Sequence, residues 1–334
     1  MKPYVAVIAA VVALALAGAG AWSVWAAAAP EPIAIGNMLN EYSGLIFIAD
    51  EQGFFARNGL NATFTTYVAT VASVGGLENG DTDVAVMTEF TIVTEALAGR
   101  NISVIGNIDR YQAVFLLGRK DRGIADISDL RGRRIGVSRN TIGEFYLSRF
   151  LELHDIPTTS VTLVNVPGGQ YVDAITNGSV DAIVVVQRYL DESRRQLGDA
   201  QVSWPIQNGQ QGYLVLACRN DWAAGHPATI EKVLRSLSLA EEYAVTHPSE
   251  ARAIVQRRFN YTDEYMATVW PDHQFGLSLD QAFVAAMEDE SRWMIANNLT
   301  NQRASPDFLR YVSPAGLKRV RPDSVHLIAE RRGP

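Results

Sequence analysis

From residue 33 onward, short apolar runs alternate with amphipathic stretches of helical period. Residues 33–38 read as a strand. Leu45, Ile46, Ile48, Ala49, Phe54 and Phe55 then recur at the spacing of one helix face. Gly53 and Asn58-Gly59 punctuate that unit, and residues 60–66 alternate as a second strand. A helix over 70–77 stops at Asn79-Gly80. A buried strand over 83–87 leads to Thr88, which caps a helix running to Ala98, with Gly99 past its end. Residues 102–108 and 113–117 read as strands, and 127–130 as a short helix in a polar crossover. The stretch 134–146 turns an apolar strand (135–137) into a helix carrying Phe145, Leu147, Phe150 and Leu151. Strands over 161–166 and 180–186 bracket a helix at 171–177, and a strand at 213–217 returns the chain to the first block. Helices fill 227–246, 248–259 and 279–298. The end from Leu317 onward, rich in arginine, reads as solvated tail.

Strands alternating with helices in two blocks predict an α/β architecture of two open, mostly parallel sheets flanked by helices. In such sheets ligands sit beyond the carboxyl ends of the strands, at the starts of the following helices. Four turns meet that description: residues 40–44, 87–90, 138–143 and 186–189. If the two sheets face each other, the turns converge on one cleft. Their hydroxyls, amides and free first-turn N–H groups supply the candidate ligand-binding residues. These are Tyr42 and Ser43, Thr88 and Glu89, Ser138, Asn140 and Thr141, and Gln187. Arg188 reads as a solvated or paired surface cation, Trp204 and Trp270 as packing, and His273 beside Asp272 as a loop hydrogen bond. Whether Glu41, Glu89 and Glu144 face the cleft stays open at this stage.

Composition narrows the function classes. The 334 residues are 48% apolar and 19% charged, the balance of a folded protein with a substantial core. A formal net charge of −7 without a long basic run argues against nucleic acid as partner. The lone cysteine excludes an internal disulfide, and with five scattered histidines no zinc-ligand spacing can be built. No metal or cofactor is expected. At the N-terminus, Lys2 precedes an apolar stretch (4–21) and a run of alanines ending at Ala29-Pro30. This describes a secretory signal cleaved near Ala28, or an uncleaved anchor long enough to span a bilayer. Either places the body outside the cytoplasm.

The stretch Asp50-Glu-Gln-Gly-Phe-Phe-Ala-Arg-Asn-Gly-Leu60 resembles a signature of extracytoplasmic substrate-binding proteins of ABC importers. The group is that of the nitrate, sulfonate, taurine and thiamine-pyrimidine-precursor binders. Gly80-Asp-Thr-Asp-Val-Ala-Val-Met-Thr-Glu89, Asp129-Leu-Arg-Gly-Arg-Arg-Ile-Gly-Val137, Asn177-Gly-Ser-Val-Asp-Ala-Ile183 and Thr246-His-Pro-Ser-Glu-Ala251 match in the same order. The resemblance implies a type II periplasmic-binding fold, two lobes joined by two crossing strands and closing over a small solute. It implies lobe 1 over 31–118 and 213–300, lobe 2 over 119–212, hinge crossings near 117–121 and 211–215, and a C-terminal tail over 301–334. By the same resemblance the partners are a small-molecule ligand and a membrane ABC permease, and a monomer suffices. Where members often carry a Trp/Glu-Pro-Tyr segment, this chain has Gln187-Arg188-Tyr189, losing a proline and gaining a cation. Two other functions are weighed: a membrane-tethered sensory or scaffold module, and a thiamine-pyrimidine-synthase-like enzyme, which the single cysteine disfavours.

Overall fold

The computed structural model describes residues 29–68 and 70–328. The proposed signal or anchor (1–28) and the last six residues of the tail lie outside them. The first block runs β1 (Glu31–Met38), α1 (Gly44–Glu51), α2 (Phe54–Arg57), β2 (Leu60–Tyr67), α3 (Thr70–Asn79), β3 (Val84–Thr88), α4 (Glu89–Leu97) and β4 (Ile102–Tyr111). The second block comprises β5 (Val114–Arg119), β6 (Arg134–Val137), α5 (Ile142–Leu153), β7 (Thr162–Asn165), α6 (Tyr171–Thr176), β8 (Ala182–Val186), α7 (Gln187–Leu197) and β9 (Gln201–Pro205). The chain then returns through β10 (Gly212–Arg219), α8 (Asn220–Gly225), α9 (Pro227–Thr246), α10 (Pro248–Phe259) and α11 (Asp263–Val269). It finishes with β11 (His273–Asp280), α12 (Gln281–Ala296), α13 (Ala315–Val320) and β12 (Val325–His326).

Two sheets result, each flanked by helices. The larger has the order β12-β11-β4-β10-β3-β1-β2 and the smaller β7-β6-β8-β5-β9. Both are mixed in their pairings. The βα units β1–β3 and β6–β8 pair in parallel. The strands that enter or leave a lobe, β4, β5, β9 and β10, pair antiparallel. A crossing strand arrives at the opposite end of the sheet from a strand fed by a helix, so it must run the other way.

The boundary of the lobes corrects the expectation for the first crossing. β5 pairs along its whole length with β8 and β9, so it belongs to lobe 2 and the chain crosses at Gln112-Ala113, not near 117–121. An apolar run such as 113–117 carries no mark of which sheet it joins. On the return, β9 ends at Pro205 and β10 begins at Gly212. Gln207 fills this gap. Its buried amide donates to the Tyr111 carbonyl (3.0 Å) and the Gln210 carbonyl (3.2 Å), and accepts from the Val114 N–H (3.1 Å). A side chain at Gly212 would collide with the Tyr111 ring, so the two crossing strands lie against each other at that point.

Helix α1 is buried on nearly every side, as its uninterrupted apolar run requires, and packs against α9 and α10. Helix α5 of lobe 2 docks on α12 of lobe 1. Phe145 meets Trp293 edge-on at 5.6 Å, and Arg149 pairs with Asp289. The lobes therefore share packed apolar contact behind the hinge.

Within the described residues, the C-terminal stretch 301–328 is not a solvated tail. Phe308 and Leu317 are buried, Val312 bridges to Val104, and β12 extends the larger sheet beside β11. Arg319 and Arg321, read as solvated, pair with Glu231 and Glu241 of α9. The charged residues of this segment masked its three apolar anchors. Leu317→Ala is accordingly expected to lower the unfolding free energy in urea by about 2–5 kcal/mol. The exposed Val245→Ala should stay within about 0.5 kcal/mol of the parent. An unchanged midpoint for Leu317→Ala would show that this segment does not belong to the core.

Candidate functional site

A cleft of ≈ 490 Å³ lies between the lobes at the hinge, within the size range of small-molecule sites. All four anticipated turns reach it. They contribute Asn40, Glu41 and Tyr42; Thr88; Ser138, Thr141, Ile142 and Gly143; and Val186, Arg188 and Tyr189. The start of α6 adds Gly168 and Tyr171, and the α10–α11 region adds Tyr261 and Tyr265. Val114 at the start of β5, Val137 at the end of β6, Val184 within β8 and Tyr111 at the end of β4 also line it.

On the lobe 1 side, a single turn of 3-10 helix (Glu41–Ser43) follows β1. It presents Tyr42, whose ring stacks on Tyr111 at 5.0 Å and leans on His273 at 5.0 Å. His273 lies parallel to Phe275 at 5.2 Å, so an aromatic column backs the wall. The buried His273 donates from Nδ1 to Asp109 (2.5 Å). Burial works against its charged form, but the Asp109 carboxylate outweighs it and raises the imidazole above its ordinary pKa. Glu41 accepts hydrogen bonds from the hydroxyls of Tyr261 (2.9 Å) and Tyr265 (3.1 Å). Burial, reinforced by this carboxylate, pushes both phenols up. Thr88 caps α4, and its hydroxyl joins those of Thr91 (3.0 Å) and, through it, Thr70 (2.7 Å).

On the lobe 2 side, Thr141 stands at the N-cap of α5 without capping it. Its hydroxyl donates to the Ser138 carbonyl instead (2.7 Å). No hydrogen bond within the described residues engages the N–H groups of Ile142 and Gly143, both in the lining. They are donors for an acceptor in the cleft. Tyr171 and Tyr189 form an edge-on pair at 5.1 Å. Arg188 is exposed, lies 5.8 Å over the Tyr189 ring, and has no carboxylate within ion-pair distance among the described residues.

Four of the eight candidates line the cleft: Tyr42, Thr88, Ser138 and Thr141. The other four, Ser43, Asn140, Gln187 and Glu89, are not in its lining. Ser43 accepts from the Met38 N–H (2.9 Å) and closes its turn. Asn140 takes a left-handed backbone (φ 59°), and its N–H is bound by Glu144 (2.6 Å), which also pairs with Arg139. Gln187 is buried and donates to Asp191 (2.7 Å). Glu89 is fully buried inside lobe 1 beside Glu290, away from the lining. Burial pushes its carboxyl up to about 8, and burial together with Glu89 raises Glu290 as well. Of the three carboxylates left open, only Glu41 lines the cleft.

Of the six tyrosines in the lining, all but Tyr42 were missed. Tyr189 stands in a turn already singled out, and Tyr171 opens a helix after Pro-Gly-Gly, so both carried a signal. Tyr261 and Tyr265 carried none, since they reach the cleft from a helix pair late in the chain. Arg188, read as a surface residue, belongs to the lining. Among the described residues no cluster of three His, Cys, Asp or Glu could hold a metal ion.

A family model described as "NMT1/THI5 like" matches residues 40–251. A putative aliphatic sulfonates-binding protein of Bacillus subtilis is 24% identical over 217 residues, spanning 62% of this chain and 64% of that protein. Among solved structures, the periplasmic aliphatic sulphonate binding protein of Escherichia coli superposes with a TM-score of 0.71 at 15% identity, over 83% of this chain and 96% of that one. The alkanesulfonate-binding protein of Xanthomonas axonopodis pv. citri, bound to MOPS, gives 0.71 at 14%, over 86% and 100%. The two-lobe periplasmic-binding fold anticipated from sequence is thus the fold of these neighbours.

The buried Glu89 carboxyl carries a pH prediction. Its pKa rises from 4.5 to about 8 on folding, so the stability tied to its neutral form is complete below about 4.5 and is lost as pH rises through about 8. Thermal melts between pH 5 and 9 should show the parent losing stability toward alkaline pH. Glu89→Gln, neutral throughout, should flatten that slope and melt higher than the parent at pH 9. Equal slopes in the two proteins would place the titrating group elsewhere.

Proposed function

The chain belongs to the NMT1/THI5-like family, and from that premise we propose that it is an extracytoplasmic solute-binding protein serving an ABC importer. The observation that carries this reading is the convergence of helix starts from both lobes on one cleft at a two-strand hinge. A solute held there touches both lobes at once, so its binding energy shifts the open–closed balance.

The solute is a small organic molecule with an acidic head, of the sulfonate kind. An inorganic ion such as nitrate would leave most of ≈ 490 Å³ unfilled. The head group meets the Ile142 and Gly143 N–H groups and the Ser138 hydroxyl, the Thr141 hydroxyl joins them by turning from the Ser138 carbonyl to the ligand, and Arg188 supplies the facing charge. The names of the sulfonate-binding relatives support the same head group. The protein acts without chemistry on its ligand. The Glu41 oxygens are engaged by two phenols, and Cys218 is buried in β10 with its thiol pushed up to about 12 by burial. Residues 1–28 export the body or anchor it, and no helix among the described residues is long and apolar enough to cross a membrane.

A thermal-shift panel of alkyl and aryl sulfonates, carboxylates, taurine, nitrate and aminopyrimidines tests this reading. A true ligand at a hundred times its dissociation constant should add about 2.7 kcal/mol of stability, and solution scattering should show the protein contract. Thr141→Ala is expected to remove much of the shift while leaving the unliganded melt nearly unchanged. Arg188→Gln should weaken an anionic ligand by about tenfold at low salt, and less at high salt. No shift and no contraction with any compound would overturn the proposal.

A further inference from the structure

Six tyrosines line the cleft, and they are arranged in pairs on both lobes. Tyr42 and Tyr111 stack in lobe 1 with an interplanar angle of 24°, held from behind by His273. Tyr171 and Tyr189 form an edge-on pair in lobe 2. Tyr261 and Tyr265 are fixed through their hydroxyls to Glu41. Between the walls lies an aliphatic floor of Val114, Val137 and Val184. The unengaged N–H groups of Ile142 and Gly143 stand where α5 begins, and Arg188 enters the same cleft from the start of α7.

A ligand matching this distribution has one acidic end and a flat, apolar body that two aromatic walls can grip when the lobes close. An amino sulfonate fits less well, because its ammonium would find ring faces to attract it but no carboxylate free of other bonds. The single carboxylate in the lining already receives two phenol hydrogen bonds. Resting on the solute-binding reading, we propose that the ligand is an aromatic monoanion: a planar ring bearing one sulfonate or carboxylate.

Calorimetric titration of the full chain with benzenesulfonate, benzoate, methanesulfonate and taurine tests this. One of the two aromatic acids should bind at least about tenfold tighter than methanesulfonate and taurine, the gain expected of ring stacking. It should also perturb the tyrosine near-ultraviolet spectrum. Tyr171→Leu should cost the aromatic acid about tenfold and methanesulfonate less than about twofold. Tyr189→Leu gives the same comparison should Tyr171→Leu fail to fold. Methanesulfonate or taurine binding as tightly as the aromatic acids, or equal losses for ring and methyl ligands, would overturn the aromatic assignment while leaving solute binding intact. Binding of none of the four, with a positive response elsewhere in the wider panel, would overturn the assignment alone; silence throughout would overturn both.

Discussion

The amide of Gln207 is the tie on which the two-lobe arrangement depends. It bonds the last carbonyl of β4, the first N–H of β5 and the carbonyl of Gln210, so one buried side chain fixes the outgoing crossover against the returning one. The Tyr111 carbonyl and the Val114 N–H, both in buried hydrogen bonds, would lose this partner without it, at about 1–3 kcal/mol apiece. The tie also sets the cleft, because Tyr111 and Val114, the residues it holds, are themselves lining residues. Hinge geometry and ligand geometry are therefore one problem here. A rotation about the crossover displaces the Tyr111 ring directly, and the absence of a side chain at Gly212 leaves that ring its place against β10.

Behind the hinge, lobe motion meets a second constraint. Phe145 against Trp293, with Arg149 paired to Asp289, joins α5 to α12 through side chains rather than through the chain. The fully buried Tyr146 stands on the same helix, one residue on from Phe145. Packed aromatic contacts of this kind tolerate small sliding better than separation, since a gap forfeits both dispersion and burial. In the proposed reading, closure combines rotation at the crossovers with slip of α5 over α12. The N-terminus of α5 is where the ligand head group docks in the proposed reading. A force on that head group is thus applied to the helix that must slip.

Much of this was legible in the sequence, for a local reason. A strand ending in a hydroxyl or amide before an amphipathic helix marks a βα turn wherever it occurs, and all four such turns reach the cleft. The direction of individual side chains was not legible. Thr88 and Glu89 are adjacent, yet one faces the cleft and the other the lobe interior, because the first helical turn rotates successive residues by about 100°. The partner that decides this, Glu290, lies some two hundred residues away. Residues 113–117 were assigned to the wrong lobe because burial on both faces reads the same in either sheet. Tyr261 and Tyr265 lay beyond reach for the opposite reason, since the α10–α11 segment that carries them meets the cleft only after the chain has crossed twice.

The remaining question is why the cleft divides its chemistry by lobe. Lobe 2 contributes the free N–H groups and the unpaired cation, whereas lobe 1 contributes a carboxylate already bound by two phenols and a rigid aromatic wall. A ligand that binds the open and closed forms equally shifts nothing, however tightly it is held. With the head group engaged by lobe 2 in either form, the open–closed preference must come from contacts that exist only after closure. The lobe 1 tyrosines are the groups placed to supply those contacts. In the proposed reading, head-group contacts are common to both forms, whereas the aromatic wall adds affinity only on closure and so biases the protein toward the closed form.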